Sequence, residues 1–106
     1  MYADKSWGTF TVLDVQDESM TICIRMRKGH RLTYHSHEHR DEVWTIISGE
    51  GRTVVDGMEQ KVSAGDVITM QAGCRHTVIA DTNLKIIEVQ LGWNIDAHDK
   101  QVFPFE

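Results

Sequence analysis

Histidine is the side chain to start from, because it can ligate a metal or move a proton near neutral pH. The chain carries six histidines, and His30, His35, His37 and His39 fall within one ten-residue stretch. His35-Ser36-His37 is the most informative group. On a strand, residues i and i+2 project from one face, so these two imidazoles would stand side by side and could clasp one ion. Glu42 follows the charged turn Glu38-His39-Arg40-Asp41 and opens an apolar run, from which its carboxylate could return to that ion across a strand pair. His76, far along the chain, could close the shell as a fourth ligand. Three imidazoles and one carboxylate suit a divalent transition metal, one of Zn, Mn, Fe, Ni or Co, with positions left open for a substrate. His30 and His98 read as solvated surface histidines. Cations crowd into the same region: Arg25, Arg27, Lys28, Arg31 and Arg40 are five of the eleven basic residues.

Strands must position these groups. Short apolar runs are punctuated by Gly and Asp about every eight to ten residues, the pattern of an all-β sandwich or barrel. The runs read as strands are Phe10–Val15, Thr21–Met26, Val43–Ser48, Arg52–Asp56, Gln60–Val62, Val67–Met70, His76–Ala80 and Lys85–Leu91. Asp56-Gly57 has the chemistry of a tight hairpin, since both residues tolerate positive φ. In the second run Ile22, Ile24 and Met26 share one face, and Thr21, Cys23, Arg25 and Arg27 share the other. Asn94 to Lys100 could hold a helical turn.

Composition sets the outer bounds. At 106 residues the chain is expected to form a single domain spanning 1–106 with one core. A net charge of −5 argues against a general nucleic-acid or anionic-membrane binder. No apolar run approaches the roughly 20 residues needed to span a bilayer. The start of the chain lacks a basic region followed by an apolar stretch, so a cytoplasmic location is expected. Two cysteines, Cys23 and Cys74, make neither a disulfide framework nor a CxxC site and read as reduced space-fillers. Trp7, Trp44 and Trp93 read as core or contact residues.

The joint spacing of these residues resembles the cupin signature. Gly29, five residues, His35-Ser36-His37, four residues, Glu42, six residues and Gly49 fit the first motif (29–49) at every fixed position. Gly65, five residues, Gln71-Ala72-Gly73, two residues and His76 match the second motif (65–80) in part. Gln71 stands where the family usually has proline, and Ala80 where it usually has asparagine. The resemblance implies a single-domain cupin, a double-stranded β-helix or jelly-roll barrel, with one metal ion held in its mouth by His35, His37, Glu42 and His76. It also implies a homodimer.

Ser6-Trp7-Gly8, His39-Arg40, Trp44 with Ser48-Gly49, and Ile86 to Gly92 narrow the likeness. They look like the C-terminal domain of the bifunctional mannose-1-phosphate guanylyltransferase/mannose-6-phosphate isomerases, although that group commonly has glutamine at the position of His35. The implied activity is metal-dependent interconversion of mannose 6-phosphate and fructose 6-phosphate. Such a reaction moves a proton between C1 and C2, for which His39 or Glu88 would be the shuttle. The substrate phosphate would need a cationic clamp, with Arg25, Arg27, Lys28, Arg40 and Arg75 as candidates. Two other readings share the fold: a metal-dependent oxygenase of a small organic substrate, and a non-catalytic module that binds a sugar through its metal.

Overall fold

A computed structural model describes residues 2–105, with Met1 and Glu106 outside the described residues. Eleven strands follow one another: β1 (Tyr2–Lys5), β2 (Gly8–Val15), β3 (Ser19–Met26), β4 (Tyr34–Ser36), β5 (Asp41–Ser48), β6 (Glu50–Val55), β7 (Met58–Ser63), β8 (Val67–Met70), β9 (His76–Ala80), β10 (Leu84–Leu91) and β11 (Gln101–Phe103). One sheet has the order β1-β2-β3-β10-β5-β8 and the other β11-β4-β9-β6-β7. Every named strand pair is antiparallel. The all-β architecture is that of a double-stranded β-helix.

The pleat decides where the core ends and the site begins. On β5 the inward residues are Glu42, Trp44 and Ile46, and on β10 they are Leu84, Ile86, Glu88 and Gln90. The register sets Ile46 beside Ile86, Trp44 beside Glu88 and Glu42 beside Gln90. Each inward face is therefore apolar toward one end and polar toward the other. The apolar end merges with Ile24, Met26, Val62, Val78 and Ala80 in the core. Trp44 and Ile86 are both 0% exposed, and burial of such side chains is worth roughly 2–3 kcal/mol each or more. The polar end opens onto a cavity.

Turn chemistry agrees with the sequence. Asp56 and Gly57 both take positive φ, 48° and 82°, and join β6 to β7 as a two-residue hairpin. Three strands lie outside the runs expected from periodicity. β4 carries the His35-Ser36 pair, while β1 and β11 are edge strands of four and three residues, too short for alternation to register. The expected helical turn in 94–100 does not form. Asp96 accepts from the backbone N–H of His98 through its side chain (2.9 Å) and from that of Asp99 through its carbonyl (3.0 Å), closing a non-helical turn instead.

Gly49, the last fixed position of the first motif, sits at φ 92°, and a Cβ there would lie 2.1 Å from the Asn83 carbonyl oxygen. Gly29 has a similar φ of 86°, but a Cβ added to it would meet no atom within 4 Å. Gly29→Ala is thus expected to cost only the backbone term, about 1–2 kcal/mol. Gly49→Ala adds a backbone clash and is expected to cost more than about 3 kcal/mol, measured by urea unfolding of both variants.

Candidate metal centre

Four side chains meet at the polar end of the barrel. His35 lies on β4 directly across from His76 on β9, and their ring centroids are 4.5 Å apart. His37, just past β4, stands 4.8 Å from His35 and 5.4 Å from His76. Glu42 reaches in from the opposite sheet, with Oε1 at 3.0 Å from His76 Nε2 and Oε2 at 3.4 Å from His37 Nε2. One ligand atom from each of the four lies within 4.8 Å of all the others, and all four residues are buried. The turn of the second motif is clipped to the first: Gly73 N–H donates to the His37 carbonyl (2.7 Å), and Ala72 N–H to the Asp41 carboxylate (2.7 Å).

The outer nitrogens are what orient the rings. His35 Nδ1 donates to the Thr33 carbonyl and His37 Nδ1 to the Asp99 carbonyl, each at 2.6 Å. Both imidazoles then turn an Nε2 lone pair toward the cluster, the tautomer a metal requires. His76 is bound on both sides, with Nδ1 at 3.2 Å from the Cys74 carbonyl and Nε2 at 3.0 Å from Glu42. A metal ion would displace the proton from that Nε2. Burial, reinforced by His76, lowers His35 to about 3, and burial lowers His37 as well. Burial alone would raise Glu42, but the His76 hydrogen bond and the charges of His37 and Arg40 overcome it and hold the carboxyl at about 2. Three imidazoles, with His35 and His37 held toward the neutral form, and an ionised carboxylate make a donor set that fits a divalent transition metal. Arg40 faces the same lone pairs, with Nε donating to Glu42 Oε2 (2.9 Å) and Nη2 at 3.1 Å from His37 Nε2. Guanidinium and metal ion therefore compete for one position.

His35, His37 and Glu42 of the cluster line a cavity of about 550 Å³. Glu88 and Gln90 line it too, beside an apolar wall that includes Trp7, Phe10, Met20 and Ile24. Sequence alternation left Glu88 either inward or solvated, and it is inward. Its Oε1 accepts from Trp44 Nε1 (2.6 Å) and its Oε2 from Gln90 Nε2 (2.8 Å). Burial, and then the Glu42 carboxylate, push its pKa up against those two donors.

The other expected residues scatter. Of the phosphate candidates, only Arg40 lines this cavity. Arg25 and Arg27 line a separate concavity. Lys28 is exposed, and the Arg75 guanidinium stacks 3.7 Å over the Phe103 ring. His39 is exposed in the 38–40 turn, whose amides at Glu38 and His39 are held by the Asp99 carboxylate at 2.9 Å. Two lysines outside the expected clamp, Lys5 and Lys100, do line the cavity. Burial, then repulsion from Lys5 and Arg40, lowers the Lys100 ammonium. Trp7 lines the cavity rather than filling the core, Trp44 is fully buried, and Trp93 is 70% exposed. Cys23 is buried and unpaired, and Cys74 Sγ lies 3.8 Å from His76 Nδ1.

Two measurements test this site. The chain is expected to take up one divalent ion, with His37→Ala or His76→Ala weakening uptake more than about 100-fold in a chelator-competition titration. The metal-free chain should also lose stability in acid. His35 and His37 take up protons near pH 6.5 when unfolded but only at lower pH when folded, so stability falls as pH drops from about 6.5 toward 3. Glu42 adds to the loss between about 4.5 and 2, while the raised Glu88 opposes it above 4.5. Two histidines outweigh one carboxyl in that upper range, which gives a net slope of at most about 1.4 kcal/mol per pH unit in urea titrations.

Known proteins share this fold. The chain is 27% identical over 97 residues to the mannose-1-phosphate guanylyltransferase RfbM of Salmonella typhimurium, covering 90% of this chain and 20% of that protein. The chain thus spans about a fifth of the length of such relatives. An uncharacterized Klebsiella pneumoniae protein with a double-stranded β-helix domain superposes with a TM-score of 0.79 at 20% identity, over 90% of this chain and 83% of that one. KdgF from a Halomonas species superposes with a TM-score of 0.76 at 19% identity, over 79% and 77%. Residues 23–90 match the cupin domain across both motifs and all four clustered side chains, and the chain belongs to the cupin domain family.

Proposed function

We propose that the chain is a metal-dependent isomerase that interconverts an aldose and a ketose phosphate, with mannose 6-phosphate and fructose 6-phosphate as the pair. One observation carries the reading: a single cavity is lined by three of the four clustered side chains (His35, His37 and Glu42), by the buried Glu88 carboxyl and by two lysines free of ion pairs among the described residues. A metal bound by His35, His37, Glu42 and His76 would supply Lewis acidity toward substrate oxygens. Lys5 and Lys100 take the phosphate, in place of the arginine clamp suggested by the sequence. Trp7 and Phe10 give the C–H face of the sugar a wall to lie against. Glu88 moves the proton between C1 and C2. Burial and the Glu42 carboxylate raise its pKa, which favours its holding a proton, and the N–H groups of Trp44 and Gln90 fix its orientation. The mannose-1-phosphate guanylyltransferases that align with 90% of this chain at 25–27% identity act on a mannose phosphate by name, which supports the substrate class.

The apolar lining from Phe10, Val12, Met20, Ile22, Ile24 and Leu32 favours a second reading, a metal-dependent oxygenase acting on a substrate with an apolar body.

A coupled assay from mannose 6-phosphate to fructose 6-phosphate separates the two. It runs on stripped protein resupplied in turn with Zn, Mn, Co, Ni and Fe(II), with oxygen uptake followed in parallel. Metal-dependent turnover is expected, with kcat lowered about 10²- to 10⁴-fold in Glu88→Gln. Lys100→Gln should mainly raise KM. Metal uptake without turnover under any of the five ions overturns the isomerase reading, and oxygen consumption with Fe(II) replaces it.

A further inference from the structure

The cations that crowd together in the sequence, and that the fold sends away from the metal centre, frame a second concavity of about 370 Å³. Arg25, Arg27 and Lys85 line it together with Thr9, Ser48 and Asn83, and no carboxylate does. Arg25 and Lys85 are direct cross-strand partners on β3 and β10. Like charges so placed repel, and among the described residues neither side chain makes an ion pair or a hydrogen bond that would offset this. Arg27 is held at the rim by its Nη1, which donates to the carbonyls of Ser6 (3.2 Å) and Lys5 (3.4 Å), leaving Nε and Nη2 free. Asn83 Oδ1 accepts from the Lys28 backbone N–H (2.9 Å), so the part of its amide left to a ligand is the donating NH₂.

All the polar side-chain groups left over are thus cations or donors, in a chain whose net charge is −5. The place is separate from the metal centre. Lys85 is five residues along β10 from Gln90, roughly 17 Å, and of opposite parity, so it faces away from the cavity. Three cations with neutral donors between them match a compact anion of high charge better than a single carboxylate. We propose that this concavity is an anion site that binds a diphosphate group, with Arg25 and Lys85 as its principal contacts. It is independent of the isomerase reading.

The test uses the full chain with inorganic pyrophosphate, orthophosphate and ADP, followed by calorimetric titration and by thermal unfolding. Because pyrophosphate itself sequesters divalent ions, it is run on the protein both as purified and after chelation. Pyrophosphate is expected to bind at least tenfold more tightly than orthophosphate and to raise Tm. ADP binding as tightly as pyrophosphate would assign the contacts to the diphosphate alone, and tighter ADP binding would assign the source as a nucleotide. The double variant Arg25→Gln/Lys85→Gln should lose at least tenfold in affinity. It should unfold no earlier than the parent at low salt, since a repulsion has been removed. Lys28→Gln should bind pyrophosphate as the parent does. Unchanged affinity in the double variant, loss in Lys100→Gln instead, or no binding at millimolar pyrophosphate overturns the proposal. So does a change in sedimentation of the double variant without pyrophosphate binding, which would mean that the cations face a second copy.

Discussion

A carboxylate with 1% exposure between two sheets is the constraint around which this molecule is arranged. Glu42 cannot sit there as an uncompensated anion, because burying a lone charge costs several kcal/mol even after relaxation. Its surroundings answer that cost with the His76 imidazole on Oε1 and the Arg40 guanidinium on Oε2. The imidazoles in turn are aimed by main-chain carbonyls, which fixes the loops at Thr33, Asp99 and Cys74. The turn that delivers His76 is tied by two hydrogen bonds to the segment that delivers His37 and Glu42. What looks like four ligands is therefore a network that crosses between the sheets and draws together segments distant in the chain.

The strands feeding this network divide their labour by position along one face. The inward residues of β5 and β10 run from Ile46 and Ile86 in the core to Glu42 and Gln90 at the cavity, with Trp44 and Glu88 between. Trp44 belongs to both halves: its ring is core, and its indole N–H holds Glu88. A rigid wall thus carries a titratable group, so the Glu88 carboxyl is located by packing rather than by a loop.

Much of this was legible from spacing, for physical reasons. Histidines at i and i+2 share a strand face, glycines at left-handed turns set the loop lengths, and eight apolar runs became strands with ends shifted by at most two residues. The same pleat rule shows where sequence clustering misled. Ile22, Ile24 and Met26 point inward, so Arg25 must point outward however close it lies to the histidines in sequence. Lys5 and Lys100 carried no such signal. They sit near opposite ends of the chain, on or beside short edge strands, and only the assembled sheets bring them to one cavity. Glu88 stood between, since alternation gave its parity but not which face was covered.

The His37–Asp99 bond has an unusual owner. Its acceptor is a main-chain carbonyl 62 residues away, on the segment that leads into β11. No side-chain replacement at 99 deletes that oxygen, so the aim of one ring rests on how firmly the last residues stay docked. Their anchors are three paired residues with β4, the contacts of Phe103 and Phe105 with Tyr34, and cation–π stacking on both rings by Arg75 and Arg31. Undocking of residues 101–105 would free the Asp99 carbonyl and let the His37 ring turn without altering any of the four clustered side chains.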